Sequence, residues 1–250
     1  MTGEKSEMSA WPYHRDRDWK ALAEGDHAVN GHPYRLRVVD CGEIFLPSGR
    51  LAVCDPFAGM RRGGNSIIAV PPGRHRVRVT LADAGAHLCS AYASLLLSSV
   101  PEARREPLAP SFPVDSGTAC FVDDEALSYG MPPEEDWYLE LFETGRPGAW
   151  FASKEDPRHI REGIANLPLP LGRDGSNLVL FPSGWGDGVY PVIGGYDAEG
   201  GLVAVHVDFS VIPITEERDA VRNWIYPASL ERRRRGEGSR TIGEGSRAIR

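Results

Sequence analysis

Hydrophobic and polar residues alternate with a period of two over much of the chain, the pattern of half-buried β-strands. In 74–81, three arginines alternate with His75, Val77, Val79 and Leu81, so one face of this strand is basic and the other faces a core. The run 88–100 also fits a buried helix, but we favour a strand. The predicted strands are 34–38, 43–46, 50–55, 66–70, 74–81, 88–100, 118–123, 178–181, 189–194 and 202–209.

The alternation is interrupted in two places. Residues 101–113 are rich in proline and predict a connection between strands. Residues 124–175 predict a helical insertion, with a helix at 132–143 that starts with two prolines and three acids. A second, weaker helix is predicted at 156–164. The sequence therefore predicts a mainly β fold, at the margin of α+β, built as an antiparallel β-sandwich or open barrel with one helical insertion.

The predicted domain spans residues 34–213. Residues 1–33 form an N-terminal arm that we expect to dock in part on this domain, because it carries Trp11, Tyr13 and Trp19. Residues 214–250 form a C-terminal extension. From about residue 231 the extension is predicted to be a disordered arginine-rich tail, with a Gly-Glu-Gly-Ser-Arg repeat that is too short and polar to fold.

The net charge of −7 is unevenly distributed. Residues 231–250 hold seven arginines and three glutamates, a local charge of +4, which leaves −11 for residues 1–230. An acidic body repels a phosphate backbone, so we expect no nucleic-acid binding by the domain; only the basic tail offers that contact. The longest apolar stretch, 91–100, is far shorter than a membrane span, and no apolar signal segment is evident. These features predict a soluble, cytoplasmic protein without a membrane partner.

One loop concentrates unusual residues. Between positions 181 and 191 the chain has glycines at 184, 186 and 188 together with Ser183, Trp185, Asp187 and Tyr190. The glycines allow a tight backbone, so the larger side chains can be aimed independently of a regular repeat. Trp185 and Tyr190 suit recognition, since stiff aromatic side chains lose little entropy on contact. The alternative is that Trp185 folds back and closes one end of the sheet.

Five aspartates, at positions 55, 115, 123, 187 and 208, lie at predicted strand ends or in the turns beside them. Together they would suit Mg²⁺, Mn²⁺ or Ca²⁺, with Asp187 and Asp208 as the metal candidates. His206 and Asp208 lie on the same face of one strand, near enough to share a ligand. The alternative is that each aspartate is a turn residue, a role common for this residue type.

Nucleophilic chemistry has less support. Ser183 lacks the leading glycine of a nucleophile elbow. Cys120 would be a thiolate if it lay near His206, but a cysteine among apolar residues in a strand is more often inert. The four cysteines, at positions 41, 54, 89 and 120, show no metal-site spacing and are predicted to be free thiols. For His75 we expect a hydrogen-bonded core or rim position rather than metal ligation.

Several short blocks occur together in a fixed order. They are Gly-Arg-Leu-x-x-x-Asp-Pro at 49–56, Val-Pro-Pro-Gly at 70–73, Asp-x-Gly-Thr-Ala-Cys-Phe at 115–121, Ser-Gly-Trp-Gly-Asp-Gly-x-Tyr-Pro at 183–191 and Asp-Phe at 208–209. On these blocks the chain, over residues 36–210, resembles the bacterial domain-of-unknown-function family 4241. The resemblance implies no reaction and no catalytic residues.

Two hypotheses of function follow, and whether the protein is an enzyme stays open between them. The first is a binding or interaction domain for a protein or small-molecule ligand, with the glycine-rich loop 183–191 as its recognition site. The second is a metal-dependent hydrolase, acting on phosphoesters through a carboxylate cluster. A divalent metal is the only cofactor that either hypothesis implies. The candidate site residues are Asp115, Thr118, Ser183, Trp185, Asp187, Tyr190, His206 and Asp208.

Overall fold

Two antiparallel sheets form a sandwich in the computed structural model, which describes residues 19–60, 65–85, 87–144, 148–172 and 175–212. The first sheet has, in spatial order, β1 Gly25–Val29, β2 His32–Leu46, β5 Gly73–Asp83, β6 Leu88–Leu96, β12 Leu202–Asp208, β11 Gly188–Tyr196 and β7 Arg104–Val114. The second has β4 Ser66–Ala69, β3 Arg50–Cys54, β8 Thr118–Asp123, β10 Asn177–Pro182 and β9 Ala165–Pro168. The predicted mainly β fold is confirmed: the two antiparallel sheets form a sandwich and, over the described residues, do not close into a barrel.

The main core lies between the two sheets. Alternate residues of the first sheet, such as Val79 and Val207, meet Phe121 and Phe181 of the second, and all four are fully buried. The rings of Phe121 and Phe181 pack edge to face with centroids 5.0 Å apart. Burying a side chain of this size stabilises the fold by about 2–3 kcal/mol.

A second core lies on the other face of the second sheet. There Cys54, Cys120 and Leu180 face the helical insertion, which contributes Trp137 and other buried aromatic residues. Because this sheet is covered on both faces, all six residues of β8 are buried. The strand therefore reads as a continuous apolar run rather than an alternating one.

The insertion consists of short helices. They are α1 Asp124–Gly130, a 3₁₀ turn Glu134–Asp136, a π-helical turn Tyr138–Phe142 and α2 Trp150–Glu155. The helix predicted at 132–143 is therefore helical but not a regular α-helix. The helix predicted at 156–164 is wrong, because Asp156 precedes a proline and the backbone before a proline resists the α conformation. The insertion also contains strand β9.

Residues 101–113 do not form a simple connection. Their larger part is strand β7, which pairs with β11 along one edge of the first sheet. Pro107, Pro110 and Pro113 lie in this strand. Proline lacks a backbone N–H, and an edge strand tolerates it because only one side of that strand pairs with another strand of the sheet.

Two asparagines join the sheets near an irregularity in β2. Asn177 Nδ2 donates to the carbonyl oxygen of Glu43 at 2.8 Å, and Asn177 Oδ1 accepts from the amide of Phe45 at 2.8 Å. Asn166 Nδ2 donates to the carbonyl oxygen of Cys41 at 2.9 Å. Cys41 lies within the shift of register of β2, and Glu43 and Phe45 lie beyond it, on a stretch of β2 that β1 does not pair with, so the asparagines satisfy backbone groups there.

The structure describes the predicted N-terminal arm from residue 19 onward. Residues 25–29 form β1, and Trp19, which is 9% exposed, packs on Tyr92 with ring centroids 4.8 Å apart. Nearby, the amide of Leu22 donates to Thr80 Oγ1 at 2.8 Å. Residues 19–24 thus lie across the outer face of the first sheet. The predicted tail from residue 231 lies outside the described residues.

Candidate functional site

The register of the second sheet brings two loops together. Thr118 at the start of β8 pairs with Pro182 at the end of β10. The loop that precedes β8, residues 115–117, and the loop that follows β10, residues 183–187, therefore leave the sheet side by side. We call these two segments the joined loops. They contain four of the candidate site residues, and Thr118 and Tyr190 border them.

Backbone and side-chain hydrogen bonds hold the joined loops to each other. The amide of Ser183 donates to the carbonyl oxygen of Gly117 at 3.1 Å, and the amide of Gly117 donates to Asp187 Oδ1 at 3.0 Å. Within the second loop, Ser183 Oγ and Tyr190 Oη both donate to the carbonyl oxygen of Gly186, at 2.7 and 2.6 Å. Ser183 and Tyr190 are therefore used to fix the loop.

The close packing of this loop requires glycine at position 184. Its φ is +67°, a left-handed conformation that side chains rarely adopt. A Cβ atom at Gly184 would lie 2.8 Å from Phe209 Cβ and 2.9 Å from Val211 Cγ2. Gly186 also has a positive φ, +105°, but a Cβ atom there would meet nothing within 4 Å.

A buried carboxylate accepts hydrogen bonds from the first of the joined loops and holds it in place. Asp55, which is 2% exposed, directly follows β3. Its Oδ2 accepts from the amides of Asp115 and Ser116, both at 2.8 Å, and its Oδ1 accepts from Ser116 Oγ at 2.7 Å. The same Oδ1 accepts from the amides of Phe57 and Ala58, at 2.8 and 3.0 Å.

The hydrogen bonds that Asp55 accepts from the first joined loop form what we call the Asp55 clamp. The sequence identified Asp55 as an acid at a strand end but did not reveal the clamp, because its donors in the first loop lie about 60 residues away along the chain. Its position before a proline was a signal for a turn only. The blocks at 49–56 and 115–121 contain the two halves of the clamp, so their joint occurrence was the available hint.

The remaining loop residues divide into buried and exposed groups. Thr118 is 1% exposed, and its Oγ1 accepts from Lys154 Nζ of α2 at 3.2 Å. Asp115, Trp185 and Asp187 are exposed. Trp185 is 52% exposed and packs edge to face on the exposed ring of His87, with centroids 5.6 Å apart. The alternative that Trp185 closes one end of the sheet is therefore wrong.

His206 and Asp208 lie in a different environment. His206 is fully buried, with Nδ1 2.8 Å from Ser94 Oγ and Nε2 2.8 Å from Glu102 Oε1. Asp208 is also fully buried, and its Oδ1 accepts from the amide of Ser210 at 2.8 Å. The two side chains share a face of β12 as expected, but each has its own partners.

Glu102 connects His206 to a cation. Its second oxygen, Oε2, accepts from Arg105 Nε at 2.7 Å, and the Arg105 guanidinium lies over the Trp19 ring, 5.3 Å from its centroid. Burial, the largest influence, acts to raise the pKa of Glu102, but His206 and Arg105 outweigh it, so the pKa lies below its ordinary value. Sequence reasoning missed Glu102 and Ser94, which are 104 and 112 residues from His206.

The five aspartates do not gather at one point. Asp55 directly contacts the first joined loop and Asp187 bonds to it, whereas Asp123 lies at the other end of β8, where it accepts from the amide of Ala126 and from Ser48 Oγ. In the part of the chain that the structure describes, no group of three or more histidine, cysteine, aspartate or glutamate side chains is placed to hold a metal ion.

The cysteines are free thiols, as predicted. Cys120 is not paired with His206; its Sγ lies 3.4 Å from Cys54 Sγ. Burial raises the pKa of the Cys120 thiol well above its ordinary value, and burial raises that of Cys41 to about 12. His75 is buried and its Nε2 lies 2.7 Å from the carbonyl oxygen of Pro71, the hydrogen-bonded position expected.

None of the helices among the described residues is both long enough and apolar enough to span a membrane. The helices there are at most seven residues long.

The comparisons with known proteins yield one family. Residues 110–207 match the model of the family described as "Protein of unknown function (DUF4241)", so the resemblance predicted from the sequence is confirmed over this part of the chain. The matched range contains both joined loops and ends within β12, whereas the blocks at 49–56 and 70–73 lie outside it. No curated protein and no solved structure matches the chain.

Proposed function

We propose that this protein is a binding domain whose recognition surface is formed by the joined loops, residues 115–117 and 183–187. The observation that carries the proposal is the presentation of Trp185. Its side chain is 52% exposed, although its loop is fixed on both sides by hydrogen bonds of Ser183 and Asp187. A large aromatic ring held out to solvent by a rigid loop is typical of a recognition residue.

Rigidity favours affinity in such a site. A mobile loop loses conformational entropy when it binds, at about 0.5–1.5 kcal/mol for each side chain that becomes immobilised. The hydrogen bonds of the joined loops and the contact between Trp185 and His87 restrict the loop before any ligand arrives. A ligand that covers the indole ring therefore gains contact area at a reduced entropic cost.

The charges beside Trp185 indicate the chemistry of the ligand. Asp115 and Asp187 are exposed, and the described residues show no ion pair to either carboxylate. Residues 1–230 also carry a net charge of −11. These features fit a ligand with a cationic group beside a planar or apolar one, since a cation is attracted both to carboxylates and to the face of an indole ring. An arginine side chain of a protein and a small guanidinium compound share this chemistry.

Nuclear magnetic resonance tests this proposal directly. The ¹⁵N-labelled protein is titrated with short arginine peptides and small guanidinium compounds, each paired with a counterpart in which citrulline or urea replaces the guanidinium. We expect the guanidinium probes to shift the indole signal of Trp185 and the amide signals of Gly117 and Gly186, and the neutral counterparts to bind about tenfold more weakly.

Variants separate recognition from general stability. Trp185→Ala removes the exposed ring and is expected to weaken binding of the same probes at least about tenfold. Tyr138→Ala is the matched control, because Tyr138 is 55% exposed on the helical insertion. Equal weakening by both variants, or probe-induced shifts confined to other surfaces, would refute the joined loops as the recognition site.

The geometry gives a metal-dependent hydrolase no support. Its two metal candidates have separate partners, the amide of Gly117 for Asp187 and the amide of Ser210 for Asp208. Asp208 is fully buried while Asp187 is exposed, so no observation among the described residues favours a shared cation.

A further inference from the structure

Two thiols face each other across neighbouring strands of the second sheet. Cys54 at the end of β3 is the direct partner of Cys120 in β8, and their Sγ atoms lie 3.4 Å apart. Residues directly opposite in an antiparallel pair have Cα atoms about 4.5–5.5 Å apart, within the range that a disulfide spans. The backbone is therefore already placed for a bond between these two sulfur atoms.

The thiols are hidden under the helical insertion. Cys54 and Cys120 are at most 1% exposed and belong to the core that contains Trp137, Phe142 and Trp150. Burial also keeps the Cys120 thiol protonated, because its pKa is well above the ordinary value. Since a thiolate is the reactive form, the pair is inert while the insertion covers it.

The cover is built from short helical segments. Its helical segments are three to seven residues long, shorter than a helix that is stable by itself. Segments of this kind open locally more readily than a strand in the middle of a sheet. Opening admits water and small oxidants, and it removes the burial that raises the pKa of the Cys120 thiol.

We propose that Cys54 and Cys120 form a reversible oxidation site, in which a peroxide oxidises the two thiols to a cross-strand disulfide. One thiolate attacks a peroxide oxygen, which breaks the O–O bond and gives a sulfenic acid and one water. The second thiol, after losing its proton, attacks the sulfenic sulfur and releases a second water. Two thiols and one hydrogen peroxide thus give one disulfide and two waters, and a dithiol reductant reverses the change.

The position of the pair couples it to the joined loops, and this part of the inference rests on the proposed function. Cys54 directly precedes Asp55, whose carboxylate holds the amides of Asp115 and Ser116. Cys120 lies two residues after Thr118, where the first joined loop enters β8. A covalent bond between β3 and β8 therefore restrains the Asp55 carboxylate and the loop that it holds, so oxidation stabilises the recognition surface in the arrangement that these hydrogen bonds define.

The experiment uses full-length Cys41→Ala/Cys89→Ala protein, in which only the pair remains. After treatment with hydrogen peroxide the protein is denatured, alkylated with iodoacetamide and weighed by mass spectrometry. We expect two labels before treatment, none after it, a monomer lighter by two hydrogens, and two labels again after dithiothreitol. Adding Cys54→Ala to this background is the control, since Cys120 alone has no partner with which to form the disulfide.

Two results would overturn the oxidation site. One is retention of both labels at a peroxide concentration that fully oxidises Cys89 in the wild-type protein, since Cys89 is less buried. The other is loss of labels only through dimers or through added oxygen. Near-ultraviolet circular dichroism of the reduced variants verifies that they fold.

Hydrogen exchange tests the coupling without any ligand. In the oxidised protein we expect the amides of Ser116 and Gly117 to exchange about tenfold more slowly than in the reduced protein. Unchanged exchange, with the disulfide formed, would refute the regulatory link and leave the oxidation site standing. If exchange slows and the guanidinium probes still fail to bind, the proposed function fails and the redox coupling stands.

Discussion

Removing the Asp55 carboxylate is the most direct test of how the site is built. In Asp55→Ala, the five hydrogen bonds accepted by this buried side chain disappear together. Three of them hold Asp115 and Ser116 of the first joined loop. The other two hold Phe57 and Ala58 in the turn after β3. We expect both a less stable protein and a loosened loop.

The magnitude depends on whether water replaces the lost acceptor. Asp115 and Ser116 are exposed, so water reaches their amides, and each of these bonds is worth about 0.5–1.5 kcal/mol. Phe57 and Ala58 are half-buried and are resolvated less completely. We expect a total loss of about 3 kcal/mol, which is large but smaller than the 5–15 kcal/mol that keeps a typical domain folded.

Urea unfolding followed by circular dichroism measures this loss. With a slope of about 2 kcal/mol per molar urea, the midpoint of Asp55→Ala falls by about 1.5 M. Asp83→Ala is the matched control, because Asp83 accepts one bond, from the amide of Gly85 at 2.8 Å, in an exposed turn. Its midpoint should fall by less than about 0.5 M. Equal shifts for the two variants would refute the role of Asp55 as a clamp.

Three further changes test other parts of the structure. Glu102→Gln should lower the free energy of unfolding by about 2 kcal/mol at pH 6, and its difference from the wild type should shrink as the pH falls through the lowered pKa of Glu102. Urea unfolding at pH 6 and at pH 3 measures the two differences. A difference that does not change with pH would contradict the ion pair. Gly184→Ala should lower the thermal midpoint more than Gly186→Ala, since both are strained by a positive φ but only Gly184 lacks room; equal midpoints would contradict the packing. Asn177→Ala should cost about 1.5 kcal/mol in urea unfolding, because it frees the amide of Phe45 and leaves the carbonyl oxygen of Glu43 with only its bond from Asn166; a loss below about 0.5 kcal/mol would show that water replaces the side chain.

The sequence predicted strands well where one face is polar. In β5 the arginines point outward and the valines inward, so the period of two is visible along the chain. Strand β7 was missed because its three prolines are the usual signal of a connection, and a single sequence does not show that the strand lies at an edge. Helix α1 carried a signal that was overlooked: Asp123 accepts from the amide of Ala126 at 2.9 Å, the hydrogen bond of a helix N-cap.

The candidate site was predictable only in its local part. The glycines and Trp185 stand close together in the chain, so their loop was recognisable from spacing. The clamp of Asp55 and the contacts of His206 with Ser94 and Glu102 depend on residues brought together by strand pairing, 60 to 112 residues apart. Their geometry follows from sheet order, which alternation of polar and apolar residues does not reveal.

The prolines of β7 also affect the tendency of the protein to aggregate at high concentration. An open strand edge is a template on which another chain adds a strand, the first step of aggregation. Pro107, Pro110 and Pro113 have no backbone N–H, so the strand has three donors fewer, and Ser66 of β4 donates to the carbonyl oxygen of Pro110 and so occupies an acceptor. This side of the first sheet is therefore a poor template for a foreign strand, so the sheet can end at β7 without recruiting a neighbour.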